Sequence, residues 1–142
     1  NPRAFTGLAD LVRPDIRLVN RQPGSGTRVW LDAQLHRHGI PPEDIQGYGE
    51  TQPTHTAVAR AIAEGRGDVG LVLEASAALY GLAFEPLTDE NYDLIIPAVA
   101  YEREDISNLL SKLNPQVFSA TLASLRGYDF SGCGQIQWVA PI

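Results

Sequence analysis

An alternating apolar and polar run, Ile16-Arg17-Leu18-Val19-Asn20, passes directly into the break Arg21-Gln22-Pro23-Gly24-Ser25-Gly26-Thr27. Residues at helical spacing follow: Val29, Trp30, Leu31, Leu35 and His38, with Gly39 just beyond them. The alternation predicts a strand, the Pro/Gly break ends it, and the three-to-four period predicts a helix closed by Gly39 at its C′ position. Strand, glycine turn and helix form half of a βαβ unit. A chain that repeats this unit is driven toward a parallel sheet covered by helices.

The repetition is present. Ile40-Pro41-Pro42-Glu43-Asp44 is a rigid connector, an extended piece is expected at Ile45 to Tyr48, and Gly49-Glu50-Thr51-Gln52-Pro53 leads to Thr54. Thr54 is placed to cap a helix through Ala57, Val58, Ala61 and Ile62 that Gly65 closes. Asp68 to Leu73 reads as a buried strand, and Glu74 to Leu79 as an alanine-rich helix ended by Gly81. Before this core, Phe5, Leu8, Leu11 and Val12 mark a short helix. After it come extended runs at 82–87 and 92–97, and a helical stripe at Ile106, Leu109, Leu110 and Leu113. A second stripe follows at Val117, Phe118, Thr121, Leu122 and Leu125, with Asn114 as cap and Pro115 at its first position. A last strand is expected at Gln135 to Val139. The expected fold class is α/β: a three-layer lobe with a mostly parallel sheet flanked by helices.

Charge narrows the partners. Eleven Lys and Arg against 17 Asp and Glu give a net charge of −6, with Lys112 the single lysine. Phosphate neutralisation needs a basic face, so direct nucleic-acid binding is not expected. The lone Cys133 has no partner cysteine for an internal disulfide or a zinc site of the usual spacing. No apolar run reaches the roughly 18 residues of a membrane span, and no basic start precedes an apolar stretch. The compartment is left open: cytoplasmic for a regulator, periplasmic or extracellular for a solute-binding protein. The chain holds no methionine and opens Asn1-Pro2-Arg3, which reads as a piece of a longer protein.

The glycine turn also carries the most chemistry. It puts two glycines, the hydroxyls of Ser25 and Thr27, and Arg28 at a strand-to-helix junction, where unpaired N–H groups and a partial positive charge suit an oxyanion or a carboxylate. The same residues fit an ordinary turn with a hydroxyl cap, and both readings stand. Sharper motifs fail. Gly24-Ser25-Gly26 lacks the third glycine of the dinucleotide fingerprint, and no Gly-Lys-Ser/Thr follows for a P-loop. Pro23 and Thr27 occupy the positions where a nucleophile elbow around Ser25 needs glycine. Thr54 and His55 begin the second helix, so they can face the same crevice, because ligands in open α/β sheets sit outside the carboxyl ends of the strands. His55 equally fits a first-turn histidine bonded to nearby backbone. His36 and His38, two apart on one helix, point to different faces and cannot share a metal. Asp68, Glu74, Asp89, Glu90 and Asp93 show no spacing that singles out an acid–base pair. Trp30 and Trp138 read as core or partner-facing anchors. No catalytic set, metal site or cofactor is expected.

Taken together, Asn20 through Arg28, Gly47-Tyr48, Thr54-His55 with Ala57-Val58-Ala59, Gly67-Asp68-Val69-Gly70, Tyr92-Asp93-Leu94-Ile95-Ile96 and Gly127-Tyr128-Asp129 resemble a known family. They are similar to the type II periplasmic-binding-protein-like domain found behind winged-helix regulators and in molybdopterin-biosynthesis modules, related to molybdate-binding proteins and LysR-type effector domains. The resemblance runs from about Leu8 to Tyr128. It implies two α/β lobes that clamp a ligand across a hinge. Residues 1–15 would be a hinge-side segment, 16–92 one lobe, and 93–142 the return to the other lobe, whose opening half would precede Asn1. It also implies ligand contacts at Ser25, Gly26 and Thr27, with Thr54 and His55 opposite and Tyr92 near the hinge. Molybdate-type sites hold their oxyanion with neutral hydroxyls and N–H groups, whereas Arg21 and Arg28 leave room for a carboxylate. The expectation is therefore non-enzymatic binding of a small anion, molybdate or tungstate first. The alternatives are a molybdopterin-biosynthesis module or a regulator's effector domain for a small carboxylate. Self-association through exposed lobe surface is also expected.

Overall fold

The computed structural model describes residues 3–113, 116 and 125–139. Two compact units divide the chain, Asn1–Glu85 and Pro86–Ile142.

The first unit is built on the segment from Arg17 to Gln22. Strand β1 (Asn20–Arg21) pairs in parallel with β2 (Thr51–Gln52). On its other side Leu18 bridges Val69, also in parallel, and the Val19 N–H donates to Val69 O at 2.8 Å. Consecutive side chains on a strand point to opposite faces, and the core divides accordingly. Leu18 joins Leu11, Ile16, Leu31, Leu35 and Ile45, so one face packs on helix α1 (Gly26–His38). Val19 joins Val58 and Ala61, so the other face packs on helix α2 (His55–Ala63). Helix, small parallel sheet and helix make the expected α/β layers. Each fully buried leucine or valine contributes about 1.5–3 kcal/mol.

Local chemistry sets the helix ends. Gly39 lies at φ 66° and its N–H bonds His36 O, while Ile40 N–H bonds Leu35 O at 2.9 Å, so the last carbonyls of α1 are satisfied. His36, Arg37 and His38 fill the last turn, where positive charge suits the helix dipole. Gly65, at φ 74°, follows α2, and helix α3 (Glu74–Leu79) is where the alanine run predicts it. Two glycines of the Gly67-to-Gly70 stretch are dictated by packing. A Cβ at Gly67 would sit 2.5 Å from Val19 Cγ2, and one at Gly70 would sit 2.5 Å from Val58 Cγ1 and 2.7 Å from Val19 O.

Several expectations are corrected. Ile45 to Gly49 is a bend and a turn, with Gly47 at φ 80°, and the strand falls later, at Thr51–Gln52. Asp68 to Leu73 contributes a single bridge at Val69 and is only partly buried. The first helix is a 3₁₀ turn, Leu8–Val12.

In the second unit, the run from Pro86 to Pro97 pairs with no strand among the described residues and is largely exposed, Ile95 at 94%. Helix α4 (Glu104–Lys112) carries the first expected stripe. Positions 114–115 and 117–124, with Asn114, Pro115, Val117, Phe118, Thr121 and Leu122 of the second stripe, lie outside the described residues. Gln135 to Val139 forms no strand. Trp138 is 64% exposed, with its ring edge-on to Tyr101 at 4.9 Å. No helix among the described residues is long and apolar enough to cross a membrane.

Candidate functional site

Pairing of Asn20 with Thr51 and Arg21 with Gln52 brings the carboxyl ends of β1 and β2 to one sheet edge. The Gln22 N–H extends the ladder to Gln52 O at 3.2 Å. β1 then enters α1 through Gln22, Pro23, Gly24 and Ser25, and β2 enters α2 through Pro53 and Thr54. Parallel neighbours lie about 4.8 Å apart, so the two helix N-termini open side by side at the edge where α/β sheets bind ligands.

Ser25 and Thr54 are the caps. Ser25 Oγ accepts the Arg28 N–H at 3.3 Å and donates its own proton to Gln22 O at 3.0 Å. Thr54 Oγ1 accepts the Ala57 N–H at 3.0 Å. The first N–H groups of a helix have no intrahelical partner, which leaves those of Gly26, Thr27 and Thr56 at this edge. Where Gly26 would carry a side chain there is open space. Thr27 and His55, the second residue of α1 and the first of α2, are partly buried.

Arg28 is engaged from behind the loop. It is 9% exposed. Its Nε donates to Asp32 at 2.8 and 3.1 Å, its Nη1 donates to Arg21 O at 3.3 Å, and its guanidinium lies 4.1 Å from the centre of the Tyr48 ring. Tyr48 in turn donates its hydroxyl to Asp32 at 2.7 Å. Burial works against the Arg28 charge, but its contacts with Tyr48 and Asp32 outweigh that, and its pKa is raised. Burial, then the hydrogen bond to Asp32, also holds the Tyr48 hydroxyl above its ordinary value. The network staples the first turn of α1 to the end of β1. Asn20, 2% exposed, adds a second staple by donating Nδ2 to Tyr48 O at 3.1 Å.

Arg21 differs. Its Nη2 donates to Pro53 O at 3.3 Å, while its Nε and Nη1 are buried without a hydrogen-bond partner.

The structure thus brings Ser25, Gly26, Thr27, Arg28, Thr54 and His55 to one edge of the first unit. Tyr92 belongs to the other unit and is 79% exposed. Sequence reasoning missed Asp32 and the Tyr48 hydroxyl as partners of Arg28. Asp32 stands four residues after Arg28, the helical spacing of an ion pair, and that signal was available. An open groove lined by Leu8, Ala9, Val12, His38 and Ile40 lies at the other end of α1, about 20 Å away along the helix. Its lining is largely apolar and offers no match to the chemistry of the sheet edge. Among the described residues no group of three or more His, Cys, Asp or Glu is placed to hold a metal ion.

Known proteins are similar to this chain. An uncharacterised protein of Bacillus subtilis (strain 168), YvgK, is 36% identical over 137 residues, 96% of this chain and 44% of that protein. The chain therefore spans less than half the length of YvgK. An uncharacterised protein encoded in the 5′ region of the ferredoxin 2Fe-2S gene of Clostridium pasteurianum is 31% identical over 109 residues, 76% of this chain and 96% of that protein. No solved structure matches the chain. The PBP superfamily domain matches residues 1–114, most of the chain and the whole of the sheet edge described above. With its layered α/β fold and that match, the chain belongs to the PBP superfamily.

Proposed function

We propose that this chain is the ligand-binding part of a solute-binding or ligand-sensing protein, and that it takes up a small anion where α1 and α2 begin. The observation that carries the reading is the parallel register of β1 and β2, which sets two helix N-termini at one edge. Each supplies N–H donors and a partial positive charge. On a chain of net charge −6 the attraction must be local, and these groups are local. Ser25, Gly26, Thr27, Thr54 and His55 form the contact set, and Arg28 supports it from behind.

The role is binding and not catalysis. By the resemblance to molybdate-binding proteins and LysR-type effector domains, a molybdate- or tungstate-like oxyanion is the first candidate ligand. A small carboxylate is the second, for which Arg21 leaves room, its Nε and Nη1 having no hydrogen-bond partner. In a regulator, ligand binding is passed on to a separate DNA-binding domain.

Titration calorimetry against molybdate, tungstate, sulfate and small carboxylates tests the reading. Saturable binding of one anion is expected, with loss of that binding in the Ser25→Ala/Thr27→Ala double variant. No heat with any of them contradicts it.

A further inference from the structure

Between the end of β1 and Leu31 a single side chain is buried, that of Arg28. Gln22, Pro23, Gly24 and Gly26 are exposed, and Ser25 and Thr27 are only partly covered. The junction that presents the N–H groups of α1 is therefore anchored by a charge and not by an apolar residue. A buried ion pair adds little stability over a well-packed apolar side chain. What the guanidinium adds is direction, because its donors are fixed in one plane.

Those donors span the frame of the site. Nη1 reaches Arg21 O, the last carbonyl of β1, and Nε reaches Asp32, one turn further along α1. Tyr48, just ahead of β2, lies against the guanidinium and is held at both ends: its carbonyl accepts Asn20 Nδ2 and its hydroxyl donates to Asp32. Strands β1 and β2 are each two residues long, so the ladder between them gives a short hold on where the two helices begin. Arg28, Tyr48 and Asp32 add a second link, between the approach to β2 and the first turns of α1. Donors already in place bind an anion more tightly than donors that must be ordered by it. Asp32 itself stands six residues after Gly26, about 9 Å along the helix, where by charge alone it weakens an anion site. What it holds in place accounts for it.

Resting on the anion-binding reading above, we propose that Tyr48 and Asp32 are positioning residues for that site: acting through Arg28, they hold the first turn of α1 in the geometry that the anion meets, and set its affinity without touching it.

The test measures affinity by calorimetry and stability by thermal unfolding for the wild type, Tyr48→Phe, Asp32→Ala and Ile16→Val, with molybdate, sulfate and acetate as titrants. Ile16→Val thins the buried core and serves as the variant that loses stability alone. For any of these anions that the wild type binds, affinity is expected to fall about fivefold in Tyr48→Phe and about tenfold or more in Asp32→Ala, and to stay within about twofold in Ile16→Val. Charge alone predicts the opposite sign for Asp32→Ala, since a repelling carboxylate is gone, so a raised affinity overturns the proposal. Unchanged affinity in either variant overturns it too, and so does an equal loss in Ile16→Val, which would make the effect one of stability. Tyr48→Phe keeps the ring and carries the test by itself if Asp32→Ala does not fold. In the free Tyr48→Phe variant the amides of Gly26 and Thr27 are expected to shift while that of Thr56, on α2, holds; unmoved Gly26 and Thr27 amides contradict positioning. All of these results leave the anion-binding reading standing. Binding of none of the three anions by the wild type removes both.

Discussion

The guanidinium of Arg28 lies 4.1 Å from the centre of the Tyr48 ring, and both side chains bond the same carboxylate, Asp32. The three therefore act as one unit that fixes the entry to α1. Tyr48→Phe keeps the ring under the guanidinium and removes one bond to a charged acceptor, a loss of about 1–2 kcal/mol. Arg28→Lys loses the planar stack and the contact with Arg21 O, a similar loss of about 1–2 kcal/mol. Because the residues share a partner, the double variant should cost less than the sum, by about 1 kcal/mol in a urea-unfolding cycle. Additive losses would show that the contact carries no coupling.

Alkaline pH tests the same unit. The Tyr48 hydroxyl is held above its ordinary pKa, first by burial and then by Asp32. The folded state thus keeps a proton that the unfolded chain releases near pH 10. The stability from this group is full below about pH 10 and is lost as pH rises through the folded value. Urea midpoints measured at pH 8 and pH 11 should fall more for the wild type than for Tyr48→Phe. Equal slopes would mean that Tyr48 titrates alike in both states.

Glycine substitutions should separate packing from binding. Gly70→Ala drives a Cβ to 2.5 Å from Val58 Cγ1 and 2.7 Å from Val19 O. The carbonyl belongs to the central strand segment and cannot yield, so a loss of about 2–4 kcal/mol is expected. Gly26→Ala meets open space and should leave stability within about 0.5 kcal/mol. Its methyl group stands where ligand would approach the N–H groups of α1, so anion affinity should fall while the unfolding temperature holds.

The caps make a further contrast. Ser25→Ala removes the acceptor of the Arg28 N–H, and Thr54→Ala that of the Ala57 N–H. Each should cost about 1 kcal/mol by thermal unfolding. Replacement by Asp or Asn should restore most of it, since either side chain accepts the same bond.

What was legible in the sequence was local. Ser25, Gly39, Thr54 and Gly65 mark helix ends through chemistry that operates within one turn, and the structure has helices between them. Strand positions depend on partners far away in the chain. The Ile45-to-Tyr48 stretch looks extended, yet Gly47 turns there at φ 80°, and the pairing begins only at Thr51. Gln135 to Val139 alternates in the same way and has no strand partner among the described residues. At the candidate site, the loop residues were readable as a group because two strand-to-helix junctions announce themselves. The difference between Arg21 and Arg28 was not readable. It rests on Asp32, Tyr48 and Pro53, which only folding brings to them.

Amide-resolved NMR during titration with molybdate, tungstate, sulfate and small carboxylates tests anion binding at this edge most directly. One of these anions is expected to shift the amides of Gly26, Thr27 and Thr56 together, saturating at one ligand per chain. Shifts confined to the groove of Leu8, Val12 and Ile40, or no shift at all, would contradict it.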